Sequence, residues 1–260
     1  MYHMNMDLRK YLQQNHIQLT WKERIKIVNL IIHSLYFIHK DNAIHRDLHS
    51  GNILYSYSNQ IWYISDLGFC GPADKPSKSI YGNLPYIAPE VISGKGHTFK
   101  SDIYSVGILM WEISSGKPPY SDHDHDFDLT MKIINGIRPE IVPGTPLKYK
   151  QLMEQCWDAN PSNRPDGSTL IEELRTLLSC QNELENENNV QSQTSLSTNP
   201  DNSQIKNTTS KLYIFLDVPK PKNASESKIL VNFLFYLNDF ILLICFFFFN
   251  PYSGSGRYIG

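Results

Sequence analysis

The stretch that most constrains this chain is His45-Arg46-Asp47-Leu48-His49-Ser50-Gly51-Asn52, a loop dense in titratable groups and set between apolar segments. Upstream, Thr20 can cap a helix, with Glu23 three residues on as a capping box. Ile25, Val28, Ile32, Leu35 and Ile38 then recur at helical spacing, and the helix is expected to end near Asp41-Asn42. Downstream, Ile53-Leu54-Tyr55 follows at once. Ile61-Trp62-Tyr63-Ile64 reads as a strand leading, across a hairpin, into Asp66-Leu67-Gly68. A helix and a hairpin must therefore pack around a loop that carries a carboxylate, Asp47, and a carboxamide five residues later, Asn52.

An acid able to take a hydroxyl proton, near an amide oxygen able to hold a hard cation, suits phosphoryl transfer. The pattern H-R-D-L-x-x-x-N is complete here at every specified position. Asp66-Leu67-Gly68 stands where D-F-G follows that loop, with Leu keeping an apolar anchor in place of Phe. Ala88-Pro89-Glu90 matches A-P-E, and Asp102 heads an apolar helix. Further on stand Trp111-Glu112 and the series Trp157, Pro161, Arg164, Pro165. On these residues, positions 2 to 180 resemble the eukaryotic protein kinase superfamily, and the last two features resemble its tyrosine-kinase-like and tyrosine kinase branches.

The resemblance implies a set of roles. Asp47 would accept the proton of the substrate hydroxyl, and Asn52 and Asp66 would hold magnesium, or manganese, on ATP. Arg46 would pair with a phosphorylated activation-segment residue, for which Ser77, Ser79 and Tyr81 are the candidates. Leu54 would form the floor under the adenine. Met4 lies in Met1 to Asp7, which resembles the hinge between kinase lobes and would also border the nucleotide. Glu90 and Arg164 would form a buried ion pair, and Asp102 would hold the backbone of the loop. His49 takes the position where serine/threonine kinases usually carry Lys, and Asn83 the one where a Thr often stands. Neither settles Ser/Thr against Tyr, although the branch resemblance favours Ser/Thr.

Some parts of a kinase do not appear in this sequence. A small lobe supplies a Gly-rich loop over the phosphates and a strand Lys paired with a helix Glu. No such strand Lys is found, and Gly254, Gly256 and Gly260 do not match G-x-G-x-x-G. The expected fold is thus mainly α: a kinase-like C-terminal lobe with short β-hairpins and no small lobe, as in a truncated gene product. Little activity is expected of such a chain alone. The alternative is a catalytically inactive kinase-like interaction module.

Four regions are expected. Residues 1–180 are the hinge and large lobe, and 181–228 are a polar linker read as disordered from its Asn, Gln, Ser and Thr. Residues 229–249 are a candidate transmembrane helix, and 250–260 a short tail. About 18 of the 21 residues in 229–249 are apolar, enough to span a bilayer. Asn232, Asn238 and Asp239 count against insertion, a central Asp alone costing about 2.5–3.5 kcal/mol. Lys211, Lys220, Lys222 and Lys228 precede the stretch and would keep the kinase-like part in the cytoplasm. A tail anchor and a sticky, non-inserted tail both fit.

Within the large lobe, Ile103 to Ile113 is nearly all apolar and should be buried on every side, with Gly116 and Pro118-Pro119 stopping it. Leu170 to Leu178 reads as a last amphipathic helix. Asp122 to Asp128, with two His among the acids, imitates a metal site but reads as a solvated loop. The formal net charge of −2 gives no hint of nucleic acid. Four cysteines far apart, without metal-ligand spacing, read as reduced thiols. A polar start at Met1 gives no secretory signal.

Overall fold

The computed structural model describes residues 6–71, 80–124, 126–188 and 211–213, the stretches 80–81, 182–188 and 211–213 by their backbone. The chain divides into one unit over Met1–Lys220 and another over Pro221–Gly260, and the second lies outside the described residues.

The elements follow the sequence pattern closely. β1 (Met6–Asp7) leads into α1 (Leu8–Asn15), which Asp7 caps by accepting from the Lys10 amide. α2 (Trp21–Lys40) opens on the expected capping box. The Glu23 carboxylate accepts from the Thr20 amide at 2.7 Å, and the Thr20 hydroxyl accepts from the Glu23 amide at 3.3 Å. Two of the helix's orphan donors are thereby satisfied. Ile25, Val28, Ile32 and Leu35 form its buried stripe.

β2 (Ile53–Ser56) and β3 (Ile61–Ile64) form the hairpin, and β1 pairs with β2 on the other side, all antiparallel. β4 (Ile80–Gly82) then precedes α3 (Pro89–Ile92) and α4 (Phe99–Ser115). α4 is buried from Ser101 to Ser114, as its apolar run requires. Thr98 and Ser101 cap its start reciprocally, and Gly116 ends it at φ 71°. That left-handed conformation costs a residue without Cβ little. α5 (Phe127–Ile134), α6 (Leu147–Cys156) and α7 (Gly167–Asn188) complete the helices.

The core lies where α2 packs on α7 and α4, and α4 on α6. Gly107 of α4 is a close-approach point, because a Cβ there would meet the Cys156 Cβ and the Trp157 backbone nitrogen at 3.0 Å. Tyr149, fully buried, donates its hydroxyl to the Met110 carbonyl at 2.9 Å. Each buried Leu or Ile contributes about 1.5–3 kcal/mol of transfer energy, so this apolar layer is the platform on which the polar loop is held.

Two parts of 181–228 depart from the expected disorder. α7 runs on to Asn188, because Gln181 to Asn188 alternates Glu, Gln and Leu, all good helix formers, with Asn. Lys211–Tyr213 forms β5, antiparallel to β4. The rest of 181–228, the candidate transmembrane segment 229–249 and the tail 250–260 lie outside the described residues. Among the described residues, no helix is long and apolar enough to cross a membrane.

In the Asp122 to Asp128 stretch, Asp126 caps α5 by accepting from the Asp128 and Leu129 amides, and Asp128 pairs with Lys132 at 2.7 Å.

Candidate functional site

The loop between α2 and β2 is held by one carboxylate. Asp102, in the first turn of α4 and 1 % exposed, accepts from the His45 amide at 2.8 Å and the Arg46 amide at 3.0 Å. It also lies 2.9 Å from the His39 Nε2. Burial works to raise this carboxyl, but the His39 ring and the His45 amide outweigh it and hold it below the usual carboxylate range. The two amide bonds keep Arg46 at φ 71°, left-handed backbone that a non-Gly residue adopts at a cost of about 1–3 kcal/mol.

His45 is the next tie. Its Nδ1 accepts from the Asp47 amide at 3.3 Å, which puts the ring proton on Nε2, 3.0 Å from the Ser65 carbonyl oxygen that accepts it. One imidazole thus connects the loop to the residue before Asp66.

The hairpin supplies the rest. Its register pairs Ile53 with Ile64 and so sets Asn52 across from Ser65. The Ser65 amide and hydroxyl both donate to the Asn52 carbonyl, at 2.8 and 3.0 Å. The Asn52 side chain, in turn, donates Nδ2 to the Asp47 carbonyl at 2.9 Å. Its Oδ1 is then the atom able to ligate a cation. Asp66 follows directly, exposed and left-handed at φ 59°, ψ 58°. A buried amide oxygen and an exposed carboxylate at the end of one hairpin are both hard oxygen donors, of the kind that could hold Mg2+ or Mn2+.

Asp47 is 3 % exposed. The His49 Nδ1 accepts from the Gly51 amide at 3.0 Å, so in the neutral ring Nε2 carries the proton, 3.6 Å from the Asp47 carboxylate. Gly51 is needed for that seat, because a Cβ there would come within 2.8 Å of the His49 Cε1. Gly82 closes the other side of Asp47, at φ 139°, and a Cβ on it would lie 3.4 Å from the Asp47 Oδ1.

Next to Gly82, Asn83 is 2 % exposed, and neither atom of its amide has a hydrogen-bond partner. It fronts a small cavity that Asp47, Arg46, His97 and Asp102 also line.

Of the other residues singled out in the sequence, Glu90 and Arg164 meet in a bidentate pair at 2.6 and 2.8 Å. Leu54 sits half-buried in β2, paired with Asp7 and Tyr63. Arg46 is half-buried, its guanidinium 3.2 Å from where a Gly71 Cβ would be. Tyr81 belongs to β4, while Met4, Ser77 and Ser79 lie outside the described residues.

A buried network was not foreseen. Arg9 of α1 and Ser50 of the loop both bond Glu112 of α4, at 3.4 and 2.9 Å, and Tyr86 donates a very short hydrogen bond to the same carboxylate. Burial pushes the Glu112 carboxyl up, against the pull of Arg9, Tyr86 and Ser50. The sequence signal is a glutamate within the apolar run Val106 to Ile113 of α4, which has to find partners once buried.

With this geometry in view, the comparisons are specific. Residues 1–174 match the family model described as protein tyrosine and serine/threonine kinase. The chain is 34% identical over 189 residues to the dual specificity protein kinase zakA of Dictyostelium discoideum, covering 66% of this chain and 24% of that protein. It is 36% identical over 154 residues to a dual serine/threonine and tyrosine protein kinase of Canis lupus familiaris, covering 56% of this chain and 16% of the relative. A probable serine/threonine-protein kinase, roco7 of Dictyostelium discoideum, is 31% identical over 182 residues, covering 66% of this chain and 7% of its own length. The chain therefore spans a quarter or less of the length of these relatives.

Proposed function

This chain belongs to the protein tyrosine and serine/threonine kinase family, and from that premise we propose that it acts in transfer of the ATP γ-phosphate to a protein hydroxyl, of Ser or Thr in preference to Tyr. One observation carries this reading: the register that sets Asn52 across from Ser65, beside Asp66, while the Asn52 amide holds the Asp47 backbone. That register would tie the proton acceptor and both cation ligands of this reading to a single hairpin.

In this reading Asp47 takes the hydroxyl proton as the substrate oxygen attacks. Its carboxylate is oriented by the hydrogen bonds of its own amide to His45 and of its carbonyl to Asn52. The His49 Nε2 proton faces the same carboxylate and can stabilise charge there, with less strength than a Lys would bring. Asn52 and Asp66 would hold Mg2+ or Mn2+, which neutralises the phosphate charge when bound. Leu54 and the β1 end border the adenine. Arg46 pairs with a phosphate once Ser77, Ser79 or Tyr81 is modified. The preference for Ser and Thr rests on the resemblance to the tyrosine-kinase-like branch. The names of two relatives, which join Ser/Thr with Tyr or state dual specificity, leave tyrosine as the second acceptor to test.

Positioning and electrostatics supply most of phosphoryl-transfer catalysis. The burial of Asp47, 3 % exposed, favours a second reading, a non-catalytic kinase-like module that binds a partner. Mg2+-dependent ATP binding and γ-phosphate transfer, measured for the chain and for Asp47→Asn and Asp66→Asn, separate the two. The kinase reading requires ATP binding that depends on Mg2+ and Asp66, with any residual transfer lost in Asp47→Asn. Phosphoamino-acid analysis of the product assigns the hydroxyl. ATP binding that ignores both Mg2+ and Asp66 leaves only the module.

A further inference from the structure

A second cavity opens between the α3–α4 connection and the turn at Pro161–Asn163, and no residue of the loop His45 to Asn52 lines it. Its volume is about 330 Å³, within the roughly 300–1,000 Å³ usual for a small-ligand site. The polar groups left open on its wall are donors. Lys95 is exposed, and its ammonium meets no acceptor among the described residues. Lys100, half-buried, uses one of its three ammonium protons on the Arg164 carbonyl. The Thr98 hydroxyl accepts from the Ser101 amide at 3.2 Å, which leaves its own proton to donate. Ser162 brings a second, exposed hydroxyl. The one carboxylate on the wall, Glu90, is closed by its bidentate pair with Arg164. Asp166 feels the Lys100 charge, but it already accepts from the Thr169 amide at 2.8 Å and the Ser168 hydroxyl at 2.7 Å.

We propose that this cavity binds a phosphate monoester, held by the ammonium groups of Lys95 and Lys100 and the hydroxyls of Thr98 and Ser162. The inference goes beyond the kinase reading and does not depend on Asp47. A phosphate monoester carries about −1.5 to −2 charge near pH 7 and three strong acceptor oxygens. Two ammonium groups and two hydroxyls match that charge and that number of acceptors, and the wall holds no unpaired carboxylate to repel it. Charge-assisted hydrogen bonds of this kind are the strong class. A cation would meet the two ammonium groups, and a carboxylate would bring a single charge. The volume leaves room for an organic body behind the phosphate, so the ester fits better than the bare ion. A phosphorylated side chain and a free sugar phosphate present the same group to these donors. Binding also has a mechanical consequence. The Lys95 amide donates to the Glu90 carbonyl at 2.9 Å, and the Lys100 carbonyl accepts from the Arg164 guanidinium at 2.8 Å. A phosphate bridging Lys95 and Ser162 therefore joins the same two segments that the Glu90–Arg164 pair joins, and stabilises their contact by mass action.

The test titrates the full 15N-labelled chain with O-phospho-L-serine and, separately, with glucose 6-phosphate, at an ionic strength held constant with NaCl. Saturable amide shifts are expected at Gly96, Thr98 and Ser162, with a dissociation constant on the order of millimolar for ligands of this size. The melting temperature should rise with added ester. Lys95→Met should weaken binding about tenfold or more, and Lys95→Arg should keep it. Lys95 is exposed, so both variants should melt like the unmodified chain when no ligand is present. Ser162→Ala supplies an independent loss of affinity from the other side of the cavity. Binding of phosphoserine alone assigns the site to a phosphorylated side chain, binding of the sugar phosphate alone to a free ester, and equal binding to the phosphate group itself; each supports the proposal. It is overturned by the lack of a saturable shift with either ester, by binding that Lys95→Met leaves unchanged, or by equal shifts with sodium acetate. Shifts confined to Arg46 and Asp66 overturn it as well. Asp66→Asn should keep the ester bound whether or not it binds ATP with Mg2+, which separates this site from the kinase reading.

Discussion

Removal of Glu90 should cost the fold several kcal/mol. Arg164 is completely buried, and its guanidinium donates to both Glu90 oxygens, at 2.6 and 2.8 Å. It also donates to the Lys100 carbonyl at 2.8 Å and the Asp158 carbonyl at 2.9 Å, and it stacks 5.2 Å from the centre of the Tyr104 ring. In Glu90→Ala the carbonyls and the ring remain, but the charge loses its only carboxylate partner among those contacts. Breaking a buried pair by deleting one member costs about 3–5 kcal/mol. A unit of this size shifts its midpoint by about 2–4 °C per kcal/mol, so a loss of about 6–20 °C is expected. Urea unfolding followed by far-UV circular dichroism measures the free energy directly. Because the pair is out of water, 0.5 M NaCl should leave the cost nearly unchanged. The double variant Glu90→Leu/Arg164→Met removes both charges and should recover about 2 kcal/mol or more, since apolar replacement of a buried pair is often neutral. A cost below about 1 kcal/mol for Glu90→Ala, or a double variant no better than the sum of the singles, would refute the reasoning.

Asp102→Asn should destabilise the chain near neutral pH. The Asp102 carboxyl is held low in the folded state, so its contribution is complete above the unfolded value of about 3.9 and is lost as pH falls below that. The gap between the two chains in urea midpoint should therefore narrow from pH 7 to pH 3. Gly107→Ala places a methyl 3.0 Å from the Cys156 Cβ and from the Trp157 backbone nitrogen. Overpacking of this kind costs about 1–3 kcal/mol, and thermal unfolding should show it without loss of helix content.

Local signals made much of the molecule legible in advance. The Thr20 and Glu23 box, the stripe from Ile25 to Leu35 and the all-apolar run of α4 each act within a few residues, and the structure forms α2 and α4 there. The hairpin followed from two short apolar runs, and the expected partners Glu90 and Arg164 meet although 74 positions apart. Contacts with no local pattern were hidden. Arg9, Ser50 and Tyr86 converge on Glu112 across separations of 103, 62 and 26 residues, and only topology brings them together. The seat of His49 on Gly51 depends on a close approach that spacing does not reveal. β5 lies at the start of the apolar run Leu212 to Leu216, a strand signal masked by the Asn, Gln, Ser and Thr that precede it. It acquires meaning only from its partner β4.

The account's central claim is that Asn52 and Asp66 form one cation site beside Asp47. Paramagnetic Mn2+, added with a non-hydrolysable ATP analogue to the 15N-labelled chain, reports on it directly. Relaxation enhancement should be strongest for Asn52, Asp66 and Asp47 and should vanish in Asp66→Asn. Broadening confined to the acidic Asp122 to Asp128 stretch, or broadening at Asn52 that persists in Asp66→Asn, would contradict it.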